Sequence, residues 1–263
     1  MKICCLVKEV PDAAVQKRID PGTKRLDRSG ERNLNPFDTH GIEAAMQLRE
    51  GGDVEVDEIV AVTMGPDTAQ RALHKAVALG ADRSVHLTDD ALSGSDVCAT
   101  GYALAKVLEA ESPDLVLLGQ QSDDGECYTI GAVVADHLKM PSLTQVIKMD
   151  VEDGQLRCQR QAEYGYDTVD VALPAVISVG DAINEPRYPS LKAIMGAKKK
   201  PLDTKATADV GIESDRVGEA GSQTAVLAIN PPPEKEAGEI IEDEDTNETV
   251  EKIVAWLDER KLI

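Results

Sequence analysis

Asp123, Asp124 and Glu126 crowd a loop running from Gly119 to Gly131, within the stretch LLGQQSDDGECYTIGAVVADHL (Leu117 to Leu138). Aliphatic residues precede the glycine and a helical pattern follows it. A strand, a glycine loop and a helix N-terminus together can hold a phosphate through backbone N–H groups, without any lysine. Read as a nucleotide site, the loop would use those donors, helped by Cys127, Tyr128 and Thr129, and a carboxylate would take ribose hydroxyls. Read as a metal site, it lacks the alternate-residue ligand spacing and the length of a calcium loop. Read as a turn, its carboxylates face water and favour the positive end of the next helix. Spacing disfavours the metal and leaves the other two open.

No other constellation offers covalent chemistry. His40, His74, His86 and His137 are scattered, and there is no Ser–His–Asp set, SxxK, HExxH or Walker lysine. A nucleotide site without a nucleophile or general base points to a binding or carrier protein. The KKK run at 198–200 reads first as a solvated patch and second as steering for an acidic partner.

Acidic residues number 48 against 28 basic, a formal net charge of −20, which argues against nucleic-acid partners and anionic membranes. No run approaches the ~18 apolar residues of a membrane span. The opening MKICCLVKEV reads as a first strand rather than a secretory leader. Five cysteines without CxxC spacing suit a reducing cytoplasm, with Cys4 and Cys5 as small core hydrophobes.

The elements that must position the loop follow a β-α-β-α rhythm. KICCLV (2–7), DEIVAVTMGPD (57–67), SVHL (84–87) and DLVLLG (114–119) read as strands. NPFD opens one helix, with Asn35 as cap, Pro36 in the first turn and Asp38 at the positive end. Further helices are expected from Thr68 to Gly80, from a Ser95 cap to about Glu111, and over 127–138. Residues 8–34 read as a long loop or ribbon. The fold class is α/β: a doubly wound, mostly parallel sheet covered on both faces. After Pro141 the pattern alternates and breaks at Asp153-Gly154, the mark of a hairpin, so antiparallel strands extend the sheet. The domain expectation is an α/β unit over 1–209 and, over 210–263, an arm with little core, ending in an amphipathic helix that docks on another chain. Ligands in such sheets bind at the carboxyl ends of the strands, which here are Val7-Lys8, Asn35 to Asp38, Met64-Gly65 and Gly119 onward.

Several segments in one order resemble a known family. VKEVPD (7–12), NPFD, ALGADR (78–83), DLVLLGQQSDDGECYTIG (114–131), LPAVISV (173–179) and NEPRYPSLKAIMGAKKK (184–200) are similar to the beta subunit of electron transfer flavoprotein. The resemblance spans about residues 1–210 and is most specific over Asn184 to Lys200. It implies a heterodimer whose alpha subunit holds the redox FAD, with a structural AMP in this chain. It implies no catalytic residues here. By position, the AMP contacts fall on Leu6, Asn35, Pro36, Phe37, Asp38 and Met64, and on Gly119, Gln120, Gln121, Ser122, Asp123, Asp124, Gly125, Glu126, Cys127, Tyr128, Thr129 and Ile130. The segment Asn184, Glu185, Pro186, Arg187, Tyr188 resembles the family's docking loop for acyl-CoA dehydrogenases of fatty acid beta-oxidation. Leu191 stands at its apolar anchor, followed by Ile194 and Met195. Electrons would pass on to a quinone oxidoreductase.

Departures from the pattern matter at the nucleotide. Many members carry a basic residue in place of Gln120 and Asn-Gln in place of Tyr128-Thr129. Asp124-Gly125-Glu126 stands between the DDD of AMP binders and the DGD of electron-bifurcating members, which bind a second FAD and react with NADH. A reading of another class, an ATP-using enzyme or a stress-type nucleotide sensor, expects a glycine-serine phosphate motif or a base after strand one. VKEVPDAAVQKR has neither.

Overall fold

The computed structural model describes residues 1–152, 154–230, 233, 238, 240 and 245–263. Short aliphatic runs make the central strands. β1 (Lys2–Leu6), β6 (Glu58–Met64), β7 (Arg83–Leu87), β8 (Leu115–Gly119) and β12 (Ala175–Val179) run parallel in one sheet of nine strands. β9 (Ser142–Glu152) and β13 (Leu202–Lys205) join it in parallel. β10 (Gln155–Ala162) and β11 (Gly165–Ala172) add two antiparallel strands beyond β9, giving the order β11-β10-β9-β12-β8-β1-β6-β7-β13. This is the doubly wound, mostly parallel α/β fold expected. Within the hairpin, Asp153 lies outside the described residues.

Period-2 alternation sorts the strand side chains between two cores. Ile3 and Cys5 face α1 (Pro36–Gly51), α2 (Gln70–Leu79) and α5 (Leu191–Ala197), meeting Ile42, Ala45, Leu73 and Ala76. Cys4 and Leu6 face α3 (Val97–Glu111) and α4 (Ile130–Leu138), meeting Tyr102, Leu108 and Val134. Burial pushes the Cys4 thiol up to about 12, so it is inert at neutral pH.

Residues 8–34 form two ribbons, β2 (Glu9–Pro11) with β5 (Arg32–Leu34) and β3 (Ile19–Asp20) with β4 (Arg25–Leu26). Two local expectations shift, and one further helix appears. α4 starts at Ile130 rather than near residue 127, because Glu126 (φ 48°) and Tyr128 (φ 58°) take the left-handed conformation, which a right-handed helix excludes. Asp96 caps α3 in place of Ser95, accepting from the Ala99 N–H at 2.9 Å. The segment 191–197, which showed no strand pattern, is the helix α5, capped by Ser190.

The described residues form two compact units, Met1–Leu227 and Ala228–Ile263. Residues 210–227 therefore belong to the first unit. Ile212 and Val217 are buried in the α3–α4 core, and Arg216 lies over the Tyr102 ring. This stretch carries the short α6 (Gly218–Gly221). In the second unit, α7 (Thr246–Glu259) exposes Val250, Ile253, Val254 and Trp256.

Candidate functional site

The carboxyl ends of β1, β6 and β8 open onto a cavity of about 410 Å³. Its wall includes Leu6, Val7 and Lys8 after β1, Asn35 and Asp38 at the start of α1, Met64 ending β6, and Gly119 ending β8. All four strand-end segments singled out in the sequence thus border one space. From the loop, Gln121, Ser122, Gly125, Cys127, Tyr128 and Ile130 line it; Pro36, Phe37, Gln120, Asp123, Asp124, Glu126 and Thr129 do not.

Five of the seven non-lining residues have a clear structural place. Phe37 backs Gly119: a Cβ there would stand 2.5 Å from the Phe37 carbonyl carbon, so only glycine lets α1 close on β8. Gln120 donates its N–H to the Val179 carbonyl and leaves the cavity. Thr129 precedes α4.

Asp123 and Asp124 find the cations that the loop itself lacks. The Asp124 carboxylate has no exposure. It accepts from Lys8 Nζ at 2.7 Å and from both Nε (3.1 Å) and NH2 (2.6 Å) of Arg28. Burial alone would raise this carboxyl, but Lys8, through its charge and then its hydrogen bond, and Arg28 hold it below the usual range. Lys17 pairs with Asp123 at 2.8 Å. Lys8 and Arg28 carry one positive charge more than the single carboxylate they share, while Asp38 and Asp96 place carboxyl groups elsewhere on the same wall.

Asn35 occupies the N-cap position of α1 without capping it. Its Nδ2 donates to the Gln121 carbonyl (2.9 Å) and to Asp38 Oδ1 (2.8 Å), and its Oδ1 accepts from the Asp123 N–H (3.0 Å). It ties α1 to the loop instead. Asp38 also accepts from the Lys8 N–H at 2.8 Å. Burial nevertheless pushes its carboxyl up to about 7, against the opposing effect of those hydrogen bonds.

Sequence reasoning missed Val62, Leu118 and the Arg28 contribution, together with Ser95, Asp96, Val97, Thr100 and Leu104 at the start of α3. Arg28 was one cation among several in a polar ribbon, and nothing local marks it. The α3 residues lie at the same end of the sheet as the strand termini, and that placement was their available signal. Among the described residues, no group of three or more His, Cys, Asp or Glu side chains could hold a metal, and no helix is long and apolar enough to cross a membrane.

A second cluster faces outward. Tyr188, Leu191 and Met195 are 95%, 81% and 77% exposed, and Ile194 is also exposed. On α5, Leu191, Ile194 and Met195 share one face at i, i+3 and i+4. Asn184 and Arg187, by contrast, are partly buried against α1 and bonded to it, while Glu185 is exposed and Pro186 partly buried.

A family model described as the electron transfer flavoprotein domain matches residues 23–210. The chain is 40% identical over 99% of both chains to the electron transfer flavoprotein subunit beta of Mycobacterium tuberculosis. It is 35% identical, over the full length of both, to the subunit beta of Megasphaera elsdenii. A further relative, also 35% identical over the full length of both, is the caffeyl-CoA reductase-Etf complex subunit CarD of Acetobacterium woodii. The matches to these relatives run over 99% or more of the chain and so include both the cavity wall and the outward cluster. The chain belongs to the electron transfer flavoprotein beta-subunit family.

Proposed function

We propose that this chain is the nonredox subunit of an electron-transfer heterodimer, holding AMP in the cavity and presenting the segment 184–195 to an electron donor. The observation that carries the nucleotide is the buried Gln121 Oε1, which has no hydrogen-bond partner and belongs to a residue lining the cavity. Such an acceptor calls for a donor from a ligand. The rest of the wall fits AMP. The first N–H groups of α4 have no acceptor within the helix and suit a phosphate. Lys8 and Arg28 supply countercharge, and Leu6, Met64, Val97 and Leu104 offer apolar contact for a base. A cavity of about 410 Å³ is near the small end of the ~300–1,000 Å³ typical of ligand sites, which favours a mononucleotide over FAD.

In this reading the alpha subunit carries the FAD that accepts and passes the electrons. This chain does no covalent chemistry; its residues bind, orient and exclude water. The outward tyrosine, leucine, isoleucine and methionine suit a hot-spot contact with an acyl-CoA dehydrogenase, and a quinone oxidoreductase takes the electrons onward. That a relative is named for a caffeyl-CoA reductase complex supports a donor or acceptor acting on CoA thioesters. The apolar face of α7 suits docking of the C-terminal arm on the alpha subunit, in the cytoplasm.

Mass identification of the nucleotides released from the co-expressed heterodimer tests this. One FAD and one AMP per heterodimer is the expected result. Two FAD, with reactivity toward NADH, would replace it with the bifurcating reading. No flavin, with ATP turnover by the isolated chain, would replace it with a nucleotide-using enzyme.

A further inference from the structure

Arg187 sits at the root of the exposed cluster, and all three of its guanidinium nitrogens are engaged. Nε and NH2 fork onto Glu43 at 2.7 and 3.0 Å, while NH1 and NH2 fork onto Glu50 at 2.7 and 2.9 Å. The Arg187 backbone N–H adds a 3.2 Å bond to Glu43. Glu43 is buried, at 8% side-chain exposure, while Arg187 is one-third exposed. One turn earlier on α1, His40 Nδ1 lies 3.1 Å from the Asn184 carbonyl, and Asn184 Nδ2 donates to the His40 carbonyl at 3.1 Å. Three turns of one helix thus grip the base of a segment whose tip touches little.

A paired fork of this kind fixes direction as well as distance, because the planar guanidinium must lie in the planes of both carboxylates. It also offsets the charge Arg187 would offer a partner: two carboxylates on one guanidinium leave the cluster at −1.

We propose that Glu43 and Glu50 are positioning residues for electron-donor docking, holding Arg187 so that Tyr188, Leu191 and Met195 are presented together. The proposal rests on the docking reading of 184–195. It assigns Arg187 to the scaffold and leaves contact with the donor to the apolar side chains. A segment held in its binding posture loses less conformational freedom on docking, so the clamp acts on affinity rather than on the rate within the bound complex.

The test uses the purified heterodimer, with an acyl-CoA dehydrogenase as donor, and compares wild type, Glu43→Gln with Glu50→Gln, Arg187→Lys and Leu191→Ala. Both glutamines keep the shape of the site and remove the charge. The double variant should raise the KM for the heterodimer about tenfold, a change of ~1.4 kcal/mol, with kcat and flavin content unchanged. Amide hydrogen exchange over 188–197 should quicken. Arg187→Lys keeps one charge and loses the fork, so it should fall between wild type and the double variant; it also serves if the double variant does not assemble. A KM within twofold of wild type in both clamp variants, while Leu191→Ala raises it, overturns the clamp and leaves the docking reading standing. A fall in kcat at unchanged KM also overturns the clamp. If Leu191→Ala itself transfers electrons normally, the docking reading fails and the clamp with it.

Discussion

Two neighbouring strands, β8 and β12, end side by side, and the chain does opposite things after each. After β8 the loop 119–129 sends one carboxylate, Asp124, inward, while Gly125 to Thr129 stay exposed. Asp124 is buried there, and Glu126 and Tyr128 hold left-handed conformations that cost energy outside glycine. After β12 the segment 184–190 turns outward and ends in the exposed Tyr188. The two are anchored with inverted charge. In the first, the loop brings the anion and distant segments bring the cations Lys8 and Arg28. In the second, the segment brings the cation Arg187 and α1 brings the anions. α1 serves both, through Asn35 at its start and His40, Glu43 and Glu50 along its length. A loop held by a buried anchor suits a ligand that stays, and a stiff base under a bare tip suits a partner that leaves.

The sharpest way to break the comparison is to remove the buried anion. Asp124→Asn leaves Lys8 and Arg28 facing a neutral group. A wholly buried pair broken in this way costs ~3–5 kcal/mol. Lys8 and Arg28 are 41% and 42% exposed, so screening reduces the loss to about 2–3 kcal/mol. The urea midpoint of the heterodimer should fall accordingly, and bound nucleotide should be lost on gel filtration. A midpoint equal to wild type would show that the ribbon and loop are held by something else.

Asp38 and Asp124, on the same site, should titrate with opposite sign. The Asp38 carboxyl is raised from 3.8 to about 7 by burial. The native state therefore holds its proton where the unfolded chain has lost it. Its contribution to stability is complete below its unfolded value and is lost as pH climbs through about 7. Asp124 is lowered, so its contribution is present above 3.8 and is lost as the pH falls through its folded value. Asp38→Asn, which keeps a neutral acceptor and adds a donor, should flatten the decline in urea midpoint between pH about 4 and about 7. An unchanged slope would show that the native Asp38 is ionised across that range.

Much of the sheet was legible because its information is local. LVLLG, AVISV and EIVAVTM are mostly aliphatic runs without alternation, as doubly covered strands tend to be. The strand ends then pointed to one edge, and the structure brings Leu6, Asn35, Asp38, Met64 and Gly119 to one cavity. What was not legible depends on distance along the chain. Arg28 meets Asp124 across 96 positions and Lys8 meets it across 116, and no spacing rule reaches that far. The late start of α4 was hidden for a different reason: CYT is compatible with a helix, and neither Glu126 nor Tyr128 is a residue type that marks a left-handed conformation. Residues 210–227 looked too polar and glycine-rich to pack, yet Ile212 and Val217 are buried and Ser95 and Asp96 bond the stretch to the start of α3.

The smallest effect on stability should come from the most exposed part of the comparison. Leu191 begins α5 with 81% of its surface already in water, so truncation removes almost no burial. Alanine is also a better helix former than leucine. Leu191→Ala should leave the urea midpoint within about 0.5 kcal/mol of wild type, the usual range for surface substitutions. Electron uptake from an acyl-CoA dehydrogenase should nevertheless weaken several-fold in kcat/KM, since an apolar anchor seated in a partner's pocket counts only in the complex. Unfolding curves and single-donor kinetics on the same preparation separate the two quantities. If stability falls in step with transfer, Leu191 packs within its own subunit, and the outward segment is no more a docking tip than the loop after β8.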